Sequence, residues 1–337
     1  MVNKTIILTL VCMMFASCGD LFLGSDPENT PEENFEILWN DFDKTYSFFE
    51  LNSINWDSLY AVYRPQVTGQ TTGEQLFESI SAMLAHLKDG HVNLHTPHGS
   101  YSYTGWYDRF PENFLGISHI KSQYLADFSQ SYPITYGLLN DDIAYLHIRT
   151  FGASNESYKV IDRIVEDFQS MKGMVVDVRN NGGGSDRNNR TVASRFADKK
   201  RLYRYMQYRN GPNHSDFTDF IPDYIEPEGQ KQFTKPVILL TNRRCFSSTE
   251  TFVLAMKVLP HVSVVGDTTG GGTGNPVSRE LPNGWTYLLS TWIEYTSEKE
   301  SFERIGLAPG ITIEISPADS LLGKDTILET AIQMLSQ

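Results

Sequence analysis

Cysteine and positive charge are both scarce in this 337-residue chain. It has 3 cysteines, and with Cys12 and Cys18 near the N-terminus they form neither a disulfide framework nor a zinc cluster. The 28 Lys and Arg stand against 41 Asp and Glu, a formal charge of −13. A nucleic-acid surface needs clustered cations, so that class drops out. Lys199-Lys200-Arg201 is the nearest thing to a basic run, and its neighbours do not extend it. No lysine lies between Lys257 and Lys299. What is present is 40% hydrophobic and 12% aromatic residues, with charged residues at 20%. That suits one large folded domain or two ordinary ones, not a disordered chain.

Lys4 precedes the apolar stretch Ile6–Phe15, which ends in Ala16-Ser17-Cys18. A positive end, a short apolar run and small residues before a cut describe a secretory signal peptide. The run is well short of the roughly 20 residues of a membrane-spanning helix. Phe15-Ala16-Ser17-Cys18 resembles a bacterial lipoprotein box, which makes Cys18 the lipid attachment point; the other reading is plain secretion. Residues 1–18 are thus expected to be a signal peptide and 19–33 a flexible tether rich in Gly, Asp, Pro, Asn and Glu. The expected product is exported and lipid-anchored to a bacterial membrane on its periplasmic or outer side. Its only membrane contact would be Cys18.

Helical spacing of Phe35, Leu38, Trp39, Phe42, Tyr46 and Phe49 predicts a helix over 34–50. Further helices are expected over Trp56–Tyr63 and Thr72–Leu87, which makes 34–99 a helical domain. Residues 100–142 read as a connecting segment of short strands and loops. From Ile143 onward strands and helices alternate. The strands are 143–148, 174–178, 236–241 and 262–265; the helices are 160–171, 187–196 and 248–258. More strands fall in 280–315, and a helix closes the chain over 325–335. This alternation implies an α/β layer with parallel strands over 143–337.

Three segments carry residues suited to chemistry. Asp177 to Gly184 ends a buried strand in three glycines, whose N–H groups can face an anion or a developing oxyanion. It fits neither the dinucleotide nor the phosphate-loop spacing, and a plain tight turn remains open. Cys245 to Glu250 places a serine at a strand-to-helix turn, where a nucleophile would be exposed. Ser247-x-x-Glu250 is equally a capping-box pattern. Asp89-Gly90-His91 supplies a histidine that could activate a serine. His147 and His261 belong to or border strands. His91, His95 and His98 lack the carboxylate company of a metal site, so no metal is expected.

These segments, in this order, resemble the S41 peptidase family of tail-specific and C-terminal processing proteases, together with the core of tricorn protease. The resemblance rests on Ile143–Ile148 with Phe151, Val176–Gly184, Leu240-Thr241-Asn242 with Ser247–Glu250, Val265–Gly270 and Glu303–Pro309. It implies a ClpP/crotonase-like core of ββα units and a serine-type peptidase acting on peptides or proteins without a cofactor. By position, Ser247 is the nucleophile, with Ser248 competing. Ser248 N–H and Gly183 or Gly184 N–H would form the oxyanion hole. Processing proteases pair the serine with a lysine in Gly-Lys-Gly, but here Gly270-Gly271-Gly272-Thr273-Gly274 has none. The tricorn-like branch uses a histidine and a glutamate, which fall on His91 and Glu303. That branch has a serine just before the histidine; here it is Gly90, and a water or Asp89 would fill the gap. The stretch between His91 and Ile143 is too short for the PDZ domain of the processing proteases.

The rival readings are a binding protein that has kept the fold without turnover and an acyl-CoA enzyme of the crotonase kind, which export disfavours. Cys245 is a further candidate nucleophile. Oligomeric state is not legible in the sequence.

Overall fold

The computed structural model describes residues 27–337. The signal peptide, Cys18 and the start of the tether lie outside the described residues. Thr30 opens helix α1 (Pro31–Thr45) by accepting a hydrogen bond from Glu33 N–H at 3.2 Å, with Pro31 in the first turn. Its apolar face, Phe35, Leu38 and Phe42, is buried. The helix stops five residues before the predicted end because Tyr46 turns to extended backbone. Tyr46 and Phe49 still reach the core, from the turn beyond. Helices α2 (Trp56–Tyr63) and α3 (Gly73–Ala85) follow, the latter opened by a Thr72/Gln75 capping box.

Strands β1 (Asn93–Thr96) and β2 (Gly99–Ser102) come next; β1 lies in the segment expected to be a helical domain, while β2 opens the segment expected to hold short strands. They join β11 (Val277–Glu280) and β12 (Thr286–Leu289) in a sheet ordered β11-β12-β1-β2. The helices pack on this sheet, so one apolar cluster contains Phe35, Leu84, Trp285 and Leu289. The N-terminal helices therefore share a core with residues more than 200 positions later.

The central sheet is ordered β14-β10-β9-β6-β5-β4-β3. Its parallel part holds β5 (Ile143–Ile148), β6 (Gly173–Asp177), β9 (Val237–Thr241), β10 (Val262–Gly266) and β14 (Ile311–Thr312). Strands β5, β6 and β9 are buried along their whole length, as continuous apolar runs between two helical layers should be. Antiparallel strands β3 (Phe128–Ser131) and β4 (Ile134–Leu138) finish one edge. Helices α4 (Ile117–Gln123), α5 (Val160–Asp167), α6 (Asp186–Ala193), α7 (Ser248–Lys257), α8 (Pro317–Leu321) and α9 (Thr326–Leu335) complete the order. A third sheet, β13-β7-β8, uses β7 (Arg201–Tyr208), β8 (Ile221–Ile225) and β13 (Trp292–Thr296). Helix α4 lies where short strands and loops were expected, and β7 and β8 were not anticipated.

Below the C-terminal end of β6 sits a fully buried ion cluster. Arg179 meets Asp177 at 2.7 Å and Asp325 at 2.9 Å, all three side chains shielded from solvent. Burial alone would raise the Asp177 carboxyl, but Arg179 holds it below its ordinary range. Asp325 also caps α9 through Leu328 N–H at 3.1 Å, so the cluster fastens the last helix to the glycine-rich turn. Arg179→Met should leave two buried carboxylates without their cation and lower the unfolding free energy by about 3–5 kcal/mol. Urea denaturation measures this; an unchanged midpoint and slope would count against it.

Candidate active site

Ser247 links β9 to α7 with φ 57° and ψ −129°, a left-handed conformation that a β-carbon disfavours. Such strain at a strand-to-helix turn lifts a side chain off the end of a sheet. Glu250 supplies one half of the capping box, its Oε2 accepting Ser247 N–H at 3.1 Å. Ser247 is partly exposed, whereas Ser248 is buried. Asn189 Nδ2 donates to both Ser248 Oγ, at 2.8 Å, and Ser248 O, at 2.9 Å. The Ser248 hydroxyl is therefore locked away from solvent. Cys245 is also unsuited to attack. Its thiol is buried, donates to Val178 O at 3.0 Å, and is pushed far up in pKa by desolvation.

The glycine turn packs directly against this one. A β-carbon on Gly183 would lie 2.9 Å from Ser247 Cβ and 3.0 Å from Ser248 N, and φ there is +98°. Only glycine fits that approach. Gly183 N–H is taken by Asn181 Oδ1 at 3.0 Å. Phe151 pairs with the turn from one side: its N–H donates to Gly183 O, and its O accepts Ser185 N–H. That pairing turns Gly184 N–H the other way. Among the described residues, neither Gly184 N–H nor Ser248 N–H meets an acceptor. Both border a cleft of about 270 Å³ that is also lined by Ser247, Thr273, Trp292 and Glu294.

His91 follows α3 and is buried against Phe246, the residue before Ser247, with ring centres 4.7 Å apart. Phe246 stacks in turn on Trp106 at 4.1 Å. Neither imidazole nitrogen has a hydrogen-bond partner among the described residues. Burial lowers its pKa below the ordinary 6.5, opposed by the Asp89 charge and the Thr273 backbone. Asp89 Oδ1 lies 3.8 Å from His91 Nδ1 and accepts His91 N–H at 2.7 Å. The buried Glu303 carboxyl does not bond the imidazole. It accepts Thr273 N–H at 2.8 Å and Thr273 Oγ–H at 3.0 Å. Desolvation, and next the Asp89 charge, push it well above its usual range.

Glu250 is the hub of the region. Besides Ser247 N–H, it accepts Thr269 Oγ–H at 2.6 Å, Gly271 N–H at 2.8 Å and Gly272 N–H at 2.7 Å. Burial raises its carboxyl to about 7, against four hydrogen bonds that favour the ionised form. The sequence pattern flagged Glu250 only as a cap. It gave no sign of Asn181, Asn189, Trp106, Thr273 or Ser290, whose roles depend on contacts across the fold. Elsewhere, His147 is buried beside Asp177 and depressed to about 4, and His95 and His98 meet Ser100 and Trp285 instead of His91.

A strained serine turn backed by a glycine turn, beside a buried histidine, is the layout of a serine-type peptidase core, and the comparisons agree. Peptidase family S41 matches residues 142–313, and the tricorn protease C1 domain matches 27–85. The chain belongs to peptidase family S41. It is 23% identical over 205 residues to carboxy-terminal processing protease CtpA of Bacillus subtilis, covering 60% of this chain and 42% of that protein. To tricorn protease of Thermoplasma acidophilum it is 28% identical over 198 residues, 57% of this chain and 16% of the relative. The chain thus spans less than half the length of either. A solved structure of a candidate peptidase from Parabacteroides merdae is similar at TM-score 0.83 and 37% identity, covering 91% of this chain and 97% of that one.

Glu250→Ala should strand four donors, each worth about 1–3 kcal/mol when left unsatisfied, and lower stability by roughly 3 kcal/mol or more. Chemical denaturation reads the loss. A variant as stable as the parent would show that the carboxylate does not hold these segments together.

Proposed function

We propose that this chain hydrolyses peptide bonds in peptide or protein substrates outside the cytoplasm, held to a membrane through a lipidated Cys18. Ser247 is the nucleophile, His91 the general base and acid, and Glu303 the acidic member of the arrangement. The observation that carries the reading is the convergence of a strained Ser247 turn, two free N–H groups and an unpaired buried imidazole.

The chemistry follows the acyl-enzyme route. Ser247 Oγ attacks the scissile carbonyl as His91 takes its proton, and a C–O bond forms. The carbonyl oxygen becomes an oxyanion that accepts from Gly184 N–H and Ser248 N–H. Each such donor is typically worth about 3–4 kcal/mol of barrier. Gly184 is preferred to Gly183 because Asn181 already engages the latter. The C–N bond then breaks as His91 returns the proton to the leaving amine. Water repeats the sequence on the acyl-enzyme. The close approach of the Gly183 turn to Ser247 and Ser248 fixes the donors relative to Ser247 before substrate arrives.

Ser247→Ala should abolish peptide hydrolysis and fluorophosphonate labelling, and His91→Ala should reduce both by at least about 1,000-fold. If Ser247→Ala keeps its activity, the nucleophile lies elsewhere. If the parent protein neither labels nor cleaves a peptide library, the fold serves binding instead. Because burial lowers the His91 pKa, the free base persists to lower pH than usual. The acidic limb of kcat/KM should therefore fall below pH 6.5; a limb above that value contradicts the assignment.

A further inference from the structure

We infer that Asp89 is the positioning residue that orients His91, while Glu303 is committed to fixing Thr273. The inference rests on the serine-peptidase reading of Ser247 and His91, and it adds a division of labour between two buried carboxyls.

The position before His91 cannot carry a relay side chain. A β-carbon on Gly90 would sit 2.7 Å from Phe246 Cζ and 2.7 Å from Trp106 Nε1. The aromatic stack that holds the imidazole occupies the space where a hydroxyl would stand. The nearest charged oxygen is then Asp89 Oδ1, 3.8 Å from His91 Nδ1. Asp89 is held firmly. It is almost fully buried; Oδ1 accepts the His91 backbone N–H and Oδ2 accepts Ser290 Oγ–H at 2.8 Å. Separations of this kind commonly tighten only in the working complex.

Glu303 is differently placed. Its Oε2 is committed to the Thr273 backbone and hydroxyl, and it makes no bond to the imidazole. The groups packed around the pair are Tyr46, Tyr101, Arg304 and Glu250. Arg304 is the one cation among them, and its guanidinium donates to Leu87 O. Tyr46 and Tyr101 are pushed up by desolvation first and the Asp89 charge next, so neither adds a negative charge to the pair. Burial, and next the Asp89 charge, raise the Glu303 carboxyl well above its usual range. Asp89 Oδ1 is the carboxyl oxygen placed beside the imidazolium that forms when Ser247 gives up its proton. Its charge opposes the burial of His91, so removing it lets the imidazole pKa fall further.

The test compares Asp89→Asn with Glu303→Gln in the full chain. Asp89→Asn should lower kcat at least about 100-fold with KM changed less than about threefold, and move the acidic limb of kcat/KM about one pH unit lower. Glu303→Gln, which leaves Asp89 and its placement beside His91 intact, should leave that limb in place even where the rate falls. A limb that moves in Glu303→Gln and stays in Asp89→Asn overturns the assignment. Should Asp89→Asn fail to fold, imidazole 15N NMR of the parent protein and of Glu303→Gln decides the matter. A neutral His91 with its proton on Nδ1, titrating alike in both proteins, supports Asp89. A proton on Nε2, or a titration that shifts in Glu303→Gln, refutes it. The NMR readout does not depend on turnover. A parent protein that cleaves nothing and reacts with no fluorophosphonate therefore sinks the peptidase reading separately, while the His91 titration still judges Asp89.

Discussion

One buried carboxylate, that of Glu250, joins the parts of this site. It accepts from Ser247 N–H on the serine turn and from Gly271 and Gly272 N–H on the loop after β10. Thr269 Oγ–H completes the set, and Thr269 Oγ in turn accepts Leu307 N–H at 2.7 Å. A chain of bonds thus runs from the serine turn through the 269–272 loop to the segment beyond Glu303. Backbone donors that would otherwise be orphaned at the start of α7 and in a glycine-rich loop share one acceptor. The strain at Ser247 persists because this network over-determines the turn. Removing the acceptor would release both the strain and the geometry.

Glu250, Glu303 and Asp89 are all buried within one region, and only hydrogen bonds to backbone and hydroxyl donors make that tolerable. Where a cation is available the interior uses it, as Arg179 does between Asp177 and Asp325. Around His91 burial raises the Glu303 carboxyl instead. The His91 imidazole is shifted first by burial and second by the Asp89 charge, the kind of perturbation that marks a candidate functional group.

The parallel core could be read from the chain because strands buried on both faces are continuous apolar runs, as Ile143–Ile148 and Gly173–Asp177 are. The serine and glycine turns were readable for a related reason: a turn at the end of such a strand leaves few residue types free. Strand β7 escaped notice because Arg204 lies buried in it, satisfied by Glu294 at 3.0 Å and by Asp186 and Asp223, each at 2.9 Å. A buried charge network looks like a solvated face when seen one residue at a time. The helix Ile117–Gln123 has no side-chain cap and a single fully buried apolar residue, Ile120, so it carries little helical signal. The bond from Ser290 to Asp89 joins residues 201 positions apart, and no local pattern announces it.

The missing lysine now has a steric counterpart. A β-carbon at Gly272 would fall 2.0 Å from the Phe246 ring, which is held between Trp106 and His91. A side chain there and this aromatic stack exclude each other, so a lysine at 272 would have to displace the ring on which the imidazole rests. Gly272 N–H is meanwhile engaged by Glu250, which keeps the loop close to Ser247. On the proposed reading, the choice between a lysine and a histidine base is a choice of what fills one small volume beside Ser247. In this chain an aromatic ring fills it. The absence of a lysine at 272 and the presence of Phe246, Gly90 and His91 belong to the same packing arrangement.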